Sequence, residues 1–479
     1  MRIRYITSTF LAVAVAFAGT CLAASSADNG TVSLLVKSRV ALTPDVAAAI
    51  GAHAARVTYV WPEINAMAVT VNPAQIADLA SDPRVELIEA DQQGHAPESD
   101  AVGDGGVSSP DGLIPVPELS GPITTWNLDM ADVTGTGFDG SGVTVAVIDS
   151  GLPQNWDEFL PAGHVDTEHA AGFGAEGWGD YHSALRAIRG VGGHIGLYPH
   201  GLAVSSVILG FPSEVGLIGG AAPGATILPV RVLDQFNAGW DTWFAAAFMY
   251  VGRLKADGTL SGPVVINFSI QMRSDSAILA SAIDYAIAQG VLFVTIAGNF
   301  GPAPGSISFP GRLPQSITAG AVGWKREFCE PFCTPPWYFG DVPENDASQV
   351  YVAGFSGRES DPPPATTAID VLDPGSLVFG EWLYGPGFSE GHENGFAAVT
   401  NFIGGTSFAA PHVVGIVAQM LEKHPGLSQA QAESILRGSA LFIPPSPALN
   451  TPIQFVPAWG ANATGSGLAR GAAAVAATP

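Results

Sequence analysis

The feature that most limits how this chain can fold is a series of unbroken apolar strand patterns, each separated from the next by a helical pattern. Residues 143–148 form one such run, which ends at Asp149, and Val264–Phe268 and residues 291–297 form two more. Strands that are apolar on both faces are typical of a parallel sheet covered by helices on both sides. We therefore predict an α/β fold with a mainly parallel, doubly wound sheet over residues 122–479.

A smaller unit is predicted in front of this sheet. Strand and helix patterns alternate in the order β-α-β-β-α-β, at residues 31–37, 43–55, 56–61, 65–71, 72–80 and 85–90. This order is typical of a ferredoxin-like α+β sandwich. Residues 92–121 are rich in Gly, Pro, Ser and Asp and lack periodicity, which predicts an exposed linker open to proteolysis. We assign residues 28–98 to the small unit and 99–121 to the linker proper.

Residues 1–27 predict a secretory signal. Arg2 and Arg4 precede an apolar run at residues 10–18, and small residues follow it. The apolar run is too short for a membrane span, and no later segment qualifies as one. We therefore expect a secreted protein that works outside the cell, with the periplasm as the alternative compartment.

The two cysteines beyond the signal, Cys329 and Cys333, lie four positions apart. In an oxidising compartment this spacing favours a disulfide that closes a small loop. The alternative is half of a metal site, but the sequence offers no matching second pair.

The charge of the chain limits its partners. Its formal net charge is −24, which argues against nucleic acid or an anionic membrane as a partner. Such a charge specifies no substrate.

A helical pattern over residues 406–420 follows directly after Gly404-Gly405. This order places Ser407 at the start of a buried helix, at the positive end of its dipole and beside N–H groups without helical partners. Such a position suits a nucleophile whose reaction creates an oxyanion. The alternative is an ordinary N-cap serine on a core helix.

Three further polar residues lie at a strand end or a helix start: Asp149, His200 and Asn299. Each alone has an ordinary structural explanation, as a loop cap, a structural histidine or a turn residue. Together with Ser407 they supply the orienting acid, the base, the oxyanion donor and the nucleophile of acyl transfer.

The motifs around these residues resemble those of the subtilisin-like serine peptidases, the subtilase family. Residues 405–413, Gly-Thr-Ser-Phe-Ala-Ala-Pro-His-Val, match the serine motif without a gap, and residues 148–151, Ile-Asp-Ser-Gly, are close to the aspartate motif. The chain order Asp, His, Ser is also that of the family. An α/β-hydrolase esterase does not fit, because Ser407 lacks a Gly-x-Ser-x-Gly motif and the histidine precedes it.

The histidine motif departs from the family pattern. His200 is followed by Gly201 as in the family, but Leu202 stands where Thr is usual and residues 205–206, Ser-Ser, replace Ala-Gly. The neighbouring His182 and His194 compete for the role, although neither opens a helix with His-Gly. These departures leave a catalytically silent homologue, used for binding or adhesion, as the alternative function.

The resemblance implies a serine endopeptidase that acts on proteins or peptides. In this reading Ser407 attacks the peptide carbonyl, His200 moves the proton and Asp149 orients the imidazole, while the side chain of Asn299 receives the oxyanion. It also implies that residues 28–98 are an inhibitory propeptide. No cofactor is required for the chemistry. Calcium is a common structural ion in the family, but no ligand set can be identified.

The substrate cleft of the family is lined by a Ser-x-Gly stretch, which corresponds here to residues 267–272. Ser269 is kept and is assigned to substrate binding, but the glycine is absent. Gln271 or Met272 would narrow the specificity pocket or change its shape. Two long Gly- and Pro-rich segments, 300–345 and 357–400, are interpreted as surface decoration, with walls of the cleft as the alternative.

Residues 164–169 contain four side chains of the types that bind metals, His164, Asp166, Glu168 and His169. A zinc site would need a further ligand from elsewhere, and the sequence nominates none. We interpret this cluster as structural and assign no metal ligand.

Overall fold

The computed structural model describes residues 30–97, 122–153, 156–161, 163–174, 200–213, 216–234, 236–329, 337–384, 397–451 and 455–479. The predicted signal, the linker proper, the two competing histidines and Cys333 lie outside these residues. Within them, no helix is both long enough and apolar enough to cross a membrane.

The N-terminal unit, residues 30–97, begins with an antiparallel sheet and two helices. Its elements are β1 (Val32–Ser38), α1 (Pro44–Gly51), β2 (Arg56–Trp61), β3 (Ala66–Val71), α2 (Ile76–Ser81), β4 (Val85–Ala90) and β5 (Gln93–His95). The order across the sheet is β2-β3-β1-β4, which confirms the ferredoxin-like prediction. Helix α1 starts as predicted, because the Thr43 hydroxyl accepts the Val46 N–H at 3.4 Å. It ends at Gly51, four residues earlier than predicted.

The two faces of this sheet are buried against different partners, as the alternation of side chains along a strand requires. One face, with Val36 and Val69, packs against α1 and α2. The other face, with Leu35 and Trp61, packs against apolar side chains of the rest of the chain. The N-terminal unit therefore completes its core only by docking.

Strand β5 corrects the prediction of an exposed linker from residue 92 onward. Gln93–His95 pairs with a strand at Ala238–Trp240, and Ala96 after it is completely buried. A Gln-Gly-His segment has no apolar alternation to mark it as a strand. Its extended conformation is set by the parts of the main unit that lie on either side of it.

The main unit, residues 122–479, supplies the remaining elements. In chain order they are α3 (Trp126–Met130), β6 (Thr144–Asp149), β7 (Ala171–Gly172), α4 (His200–Leu209), β8 (Phe211–Ser213), β9 (Gly216–Ile218), β10 (Thr226–Arg231), β11 (Ala238–Trp240), α5 (Asp241–Ala256), β12 (Val264–Phe268), α6 (Ala277–Ala288), β13 (Val291–Ile296), β14 (Ile317–Trp324), β15 (Val350–Val352), β16 (Val371–Pro374), β17 (Val378–Tyr384), β18 (Ala397–Ile403), α7 (Thr406–Lys423), α8 (Gln429–Ser439), β19 (Leu449–Asn450), β20 (Phe455–Val456) and α9 (Gly471–Ala477).

The large sheet of the main unit is mostly parallel. Its order is β15-β14-β13-β12-β6-β10-β7, with β16 beside β14, and β15 is the antiparallel member. Helices α4 and α7 cover one face, and α5 and α6 cover the other. This confirms the predicted doubly wound α/β fold. The carboxyl ends of β6, β12 and β13 meet at one edge, which brings the residues after them together.

The segments 300–345 and 357–400 are not surface decoration, because they contribute β14 and β16 to the large sheet. Strand β14 was hidden by its small residues. Gly323 leaves room for the ring of Tyr351, since a Cβ at Gly323 would lie 2.4 Å from that ring. The pattern therefore lacked the run of large apolar side chains that marks a buried strand.

Helix α5 begins at Asp241, an acidic residue of the type that often caps a helix, but Asp241 is not the cap. Trp240 occupies the N-cap position and Asp241 is the first helical residue. Neither carboxylate oxygen of Asp241 has a hydrogen-bond partner among the described residues. Instead Asp91, from the N-terminal unit, accepts the N–H of Thr242 at 3.0 Å.

Candidate active site

The first pair of predicted site residues lies where β6 ends and α4 begins. His200 Nδ1 is 2.9 Å from each carboxylate oxygen of Asp149. Both side chains are buried. Because a carboxylate only accepts hydrogen bonds, Nδ1 carries the proton, and Nε2 of the neutral ring is left as the basic nitrogen.

The strand end and the helix start are fixed to each other by short contacts. The Ser150 N–H donates to Asp149 Oδ1 at 2.6 Å, and the Gly201 N–H donates to the Ser150 hydroxyl at 2.9 Å. A Cβ on Gly201 would lie 2.5 Å from the carbonyl oxygen of Gly151. Residue 201 therefore has to be glycine for His200 to reach Asp149.

The unusual residues of the histidine motif have structural explanations. Leu202 is fully buried in a small apolar cluster with Leu152 and Leu160. The Ser205 hydroxyl donates to the Gly201 carbonyl at 2.7 Å, and the Ser206 hydroxyl accepts the Glu381 N–H at 3.1 Å. None of these contacts displaces His200 from Asp149.

Ser407 is the second residue of α7 and is completely buried. The imidazole of His200 packs against the next side chain of that helix, Phe408, with ring centroids 5.6 Å apart. The structure therefore brings the Asp149–His200 pair to the start of the helix that carries Ser407. Ser407 Oγ lies 3.5 Å from the carbonyl oxygen of Ser269.

A proline inside α7 explains one contact of the serine. Pro411 has no N–H, so the Ser407 carbonyl four residues earlier lacks its helical donor. The Ser269 hydroxyl donates to that carbonyl instead, at 3.1 Å, and itself accepts the Asn267 side-chain N–H at 3.0 Å. The side chain of Ser269 thus holds the backbone of Ser407.

The side chain of Asn299 is oriented by Thr406. Its Oδ1 accepts the Thr406 N–H at 3.0 Å and the Thr406 hydroxyl at 2.8 Å. Since a backbone N–H can only donate, the oxygen must face Thr406 and the amide nitrogen must point away from it. That nitrogen, Nδ2, is buried and has no hydrogen-bond partner among the described residues.

Gly405 keeps the space beside this amide open. Its φ of 145° lies in a region that strongly favours glycine. A Cβ there would stand 3.2 Å from Asn299 Nδ2 and 3.7 Å from the backbone nitrogen of Ser407. Asn299 Nδ2 and the backbone nitrogen of Ser407 therefore lie on two sides of the same small space next to the serine. Two N–H donors arranged in this way have the geometry that stabilises an oxyanion.

Two further residues of this region make contacts that the sequence analysis did not anticipate. Gln271 forms an antiparallel bridge with His95 of the N-terminal unit, and its side-chain Oε1 accepts the Asn299 N–H at 2.8 Å. Asn237 donates from its side chain to the Ala96 carbonyl at 2.8 Å. The missing family glycine at Gln271 was the available signal for the first residue.

The cluster at residues 164–169 forms local contacts. His169 Nδ1 lies 2.8 Å from Asp166 Oδ2, and His164 Nδ1 lies 2.9 Å from the Ala225 carbonyl. Among the described residues, no group of three or more His, Cys, Asp or Glu side chains is arranged to hold a metal ion.

Comparison with known proteins relates both the fold and the site to one group. A family model described as the subtilase family matches residues 140–455. Subtilisin amylosacchariticus from Bacillus subtilis subsp. amylosacchariticus is 25% identical over 382 residues, which span 79% of this chain and 76% of that protein. Subtilisin Savinase from Lederbergia lenta is 27% identical over 312 residues, 64% of this chain and 85% of that protein.

One solved structure matches nearly the whole chain. Fervidolysin from Fervidobacterium pennivorans, described as a keratinolytic enzyme related to subtilisin, has a TM-score of 0.62 at 21% identity. The match covers 95% of this chain and 63% of the fervidolysin chain. At this identity it supports the fold alone.

The fold and the matches define the class of the protein, a serine endopeptidase with a subtilisin-like α/β architecture. The Asp149–His200 pair beside Ser407 is compatible with the triad of that class. The chain belongs to the subtilase family.

Proposed function

We propose that the chain is a secreted endopeptidase that forms an acyl-enzyme at Ser407 and is made as a precursor inhibited by residues 28–98. The observation that supports the catalytic part most is the convergence beside Ser407 of the Asp149–His200 pair and the amide nitrogen of Asn299, which has no hydrogen-bond partner among the described residues. Nucleophile, base and oxyanion donor then come from three different elements that meet at one edge of the sheet.

In the first half of the reaction, Ser407 Oγ attacks the carbonyl carbon of the peptide bond while His200 Nε2 takes its proton. Asp149 stabilises the imidazolium that forms, and the amide of Asn299 and the Ser407 N–H donate to the oxyanion. The C–N bond then breaks, His200 protonates the leaving amine, and the acyl group stays on Ser407.

In the second half, water takes the place of the amine. The water oxygen attacks the acyl carbon while His200 accepts a proton from the water. The amide of Asn299 and the Ser407 N–H donate to the second oxyanion as they did to the first. The C–Oγ bond breaks, His200 returns the proton to Ser407, and the new carboxyl terminus leaves.

Inhibition in the precursor is supported by the position of β5. The segment runs between β11 and Gln271 as an extended peptide, with His95 exchanging two backbone hydrogen bonds with Gln271 at 2.9 and 3.2 Å. Ala96 and Pro97 after it are buried. A segment in this position excludes other peptides from the cleft until it is released.

Secretion is supported by the sequence of residues 1–27, in which two arginines precede a short apolar run. N-terminal sequencing of protein recovered from the medium tests both secretion and the proteolytic removal of the N-terminal unit. Processing predicts a mature start between about Gln92 and Thr125, whereas an intact start at residues 24–28 would refute it.

A fluorophosphonate probe tests the catalytic proposal. The secreted protein should take one label at Ser407 and cleave casein, and Ser407→Ala should lose both properties. Ser261→Ala, which changes an exposed serine far from the site in sequence, is the matched control and should keep both. A mature protein freed of residues 28–98 that takes no label would favour the silent homologue.

A further inference from the structure

The position of β5 defines which residue of a bound peptide faces the nucleophile. His95 lies opposite Gln271 in an antiparallel bridge. In that register position 97 lies opposite Ser269, whose carbonyl oxygen is 3.5 Å from Ser407 Oγ. A substrate bound like β5 therefore presents the residue at position 97 as the one whose carbonyl is attacked. We call it the acyl residue.

The side chain of the acyl residue must share a face with Gln271. Side chains directly opposite each other in an antiparallel pair point to the same side, and the next pair on that side is two residues along. His95 and Gln271 show this, because their side-chain nitrogens are 3.3 Å apart. The acyl residue lies diagonally next to Gln271 on the same face.

Gln271 narrows the gap that this side chain would enter. The buried Gln271 amide spans from its own strand to the turn at Gly298, where its Oε1 accepts the Asn299 N–H at 2.8 Å. A Cβ on Gly298 would lie 3.2 Å from Oε1 and 2.6 Å from the buried side chain of Ser308. The side chain of Gln271 therefore crosses the gap between its own strand and the turn at Gly298, and Ser308 lies beside it.

A second position of the cleft is equally narrow. At Gly94, three residues before the acyl residue, a Cβ would lie 2.6 Å from Met272 Cγ and 2.9 Å from the ring of Phe244. All three residues are buried. A side chain at this position would collide with packed core atoms.

We propose that Gln271, backed by Ser308, restricts the acyl residue to small side chains, so that the enzyme cleaves after residues such as Ala or Ser within segments that carry Gly three positions earlier. This inference rests on the proposed function. Gln271 acts here as a specificity residue, and through its bond to Asn299 it also positions the turn that carries the oxyanion donor.

The test uses enzyme matured from the full chain and peptides that differ only in the acyl residue, which is Ala, Leu or Phe. Wild type should show kcat/KM for Ala above that for Phe by about tenfold or more, since a filled pocket rejects added volume. Gln271→Gly should lower this ratio by about tenfold or more. Its kcat for the Ala peptide should also fall, because the bond to the Asn299 N–H is lost.

The outcomes separate the two proposals. Wild type that takes the fluorophosphonate label but prefers Phe overturns only the inference, as does Gln271→Gly with an unchanged Ala-to-Phe ratio. Wild type that takes no label and cleaves no peptide overturns the proposed function, and the inference falls with it. Should Gln271→Gly fail to fold, sequencing the products of casein cleavage by wild type decides, since large residues at the new carboxyl termini would contradict the proposal.

Discussion

At the scale of single residues, the clearest indication of function is a buried hydrogen-bond donor that has no acceptor among the described residues. Asn299 Nδ2 is buried and has no hydrogen-bond partner among the described residues. A buried polar group in this state costs free energy unless a ligand completes it. Its position beside the Ser407 N–H supports the proposal that the oxyanion of the reaction is the missing acceptor.

Asn299→Ala should lower kcat by about 10²–10³ with little change in KM, because the donor acts on charge that develops only in the transition state. Steady-state kinetics on the peptide with Ala as the acyl residue measures this. The variant should still take the fluorophosphonate label, more slowly. A large rise in KM with an unchanged kcat would contradict the role.

A second buried polar side chain without hydrogen-bond partners among the described residues is that of Asp373 in β16. It is fully buried, and neither carboxylate oxygen has a hydrogen-bond partner among the described residues. Burial raises the pKa of its carboxyl well above the usual value. The folded protein therefore holds this proton more tightly than the unfolded chain does.

The raised pKa makes the stability of the folded protein depend on pH. The stabilising effect of the protonated carboxyl is complete below an ordinary aspartate pKa of about 4 and is lost as the pH rises towards the raised folded pKa. In a Ser407→Ala background, which prevents autolysis, we expect Tm of the Asp373→Asn variant to rise relative to its parent between pH 4 and pH 8. A Tm difference that is constant over this range would contradict the expectation.

The residues of the site were predictable because each lies in a short motif whose geometry is local. Asp149 ends an apolar strand and Ser407 follows two glycines, so a few neighbours decide where each side chain lies. The role of Gln271 was not predictable to the same extent. Its side chain bonds to Asn299, 28 positions away, and that contact exists only after β12 and β13 have paired.

At the scale of elements, the N-terminal unit is joined to the main unit by carboxylates at helix starts. Glu89 Oε1 accepts the Ala277 N–H at 2.7 Å, and Oε2 accepts the Ser276 hydroxyl at 3.1 Å. Asp91 does the same for the start of α5 through Thr242. A carboxylate at the positive end of a helix is stabilised by the dipole and by the free N–H groups.

Glu89→Gln removes the charge and keeps the shape. Since charged hydrogen bonds contribute about 1 kcal/mol more than neutral ones, active enzyme should be released after processing about fivefold faster. The measurement is the rate at which peptidase activity appears. Glu86→Gln, an exposed residue of the same strand, is the matched control, and equal release rates in the two variants would contradict the prediction.

Most strands and helices could be predicted from sequence, and the failures have physical causes. The bounds of β2, β4 and β12 agree with the prediction because each is a short run rich in β-branched, aliphatic or aromatic side chains. Strand β5 has no pattern of its own. Helix α8 was overlooked although its signal was present, since Ser428 and Gln431 form a capping box.

At the scale of the whole molecule, the docked N-terminal unit places the partly buried Asp91 near the buried Asp241 of the main unit. Burial raises the pKa of Asp91 to about 6. Burial, and then the charges of Asp91 and Glu89, raise the pKa of Asp241 well above its usual value. Both carboxyls therefore hold a proton more tightly in this docked structure than a freely exposed aspartate does. Since undocking would return Asp91 to water and lower its pKa towards the ordinary value, we expect docking to be strongest at low pH and to weaken as the pH rises from about 4 through 6.

We expect the processed N-terminal unit to dissociate faster at pH 8 than at pH 5. Asp241→Asn should hold it longer at pH 8 and flatten the dependence, because the repulsion with Asp91 is removed. Size-exclusion chromatography of the processed complex at the two pH values measures the fraction still bound. An equal fraction at pH 5 and pH 8 in wild type would contradict this account.

We propose above all that Asp149, His200 and Ser407 act as one unit although they come from three separate elements. The most direct measurement is the rate of fluorophosphonate labelling of Ser407 in Asp149→Ala, His200→Ala and the double variant. If the carboxylate acts through the histidine, the double variant should label no more slowly than His200→Ala alone. Two losses that multiply, or a His200→Ala variant that labels at the wild-type rate, would contradict the claim.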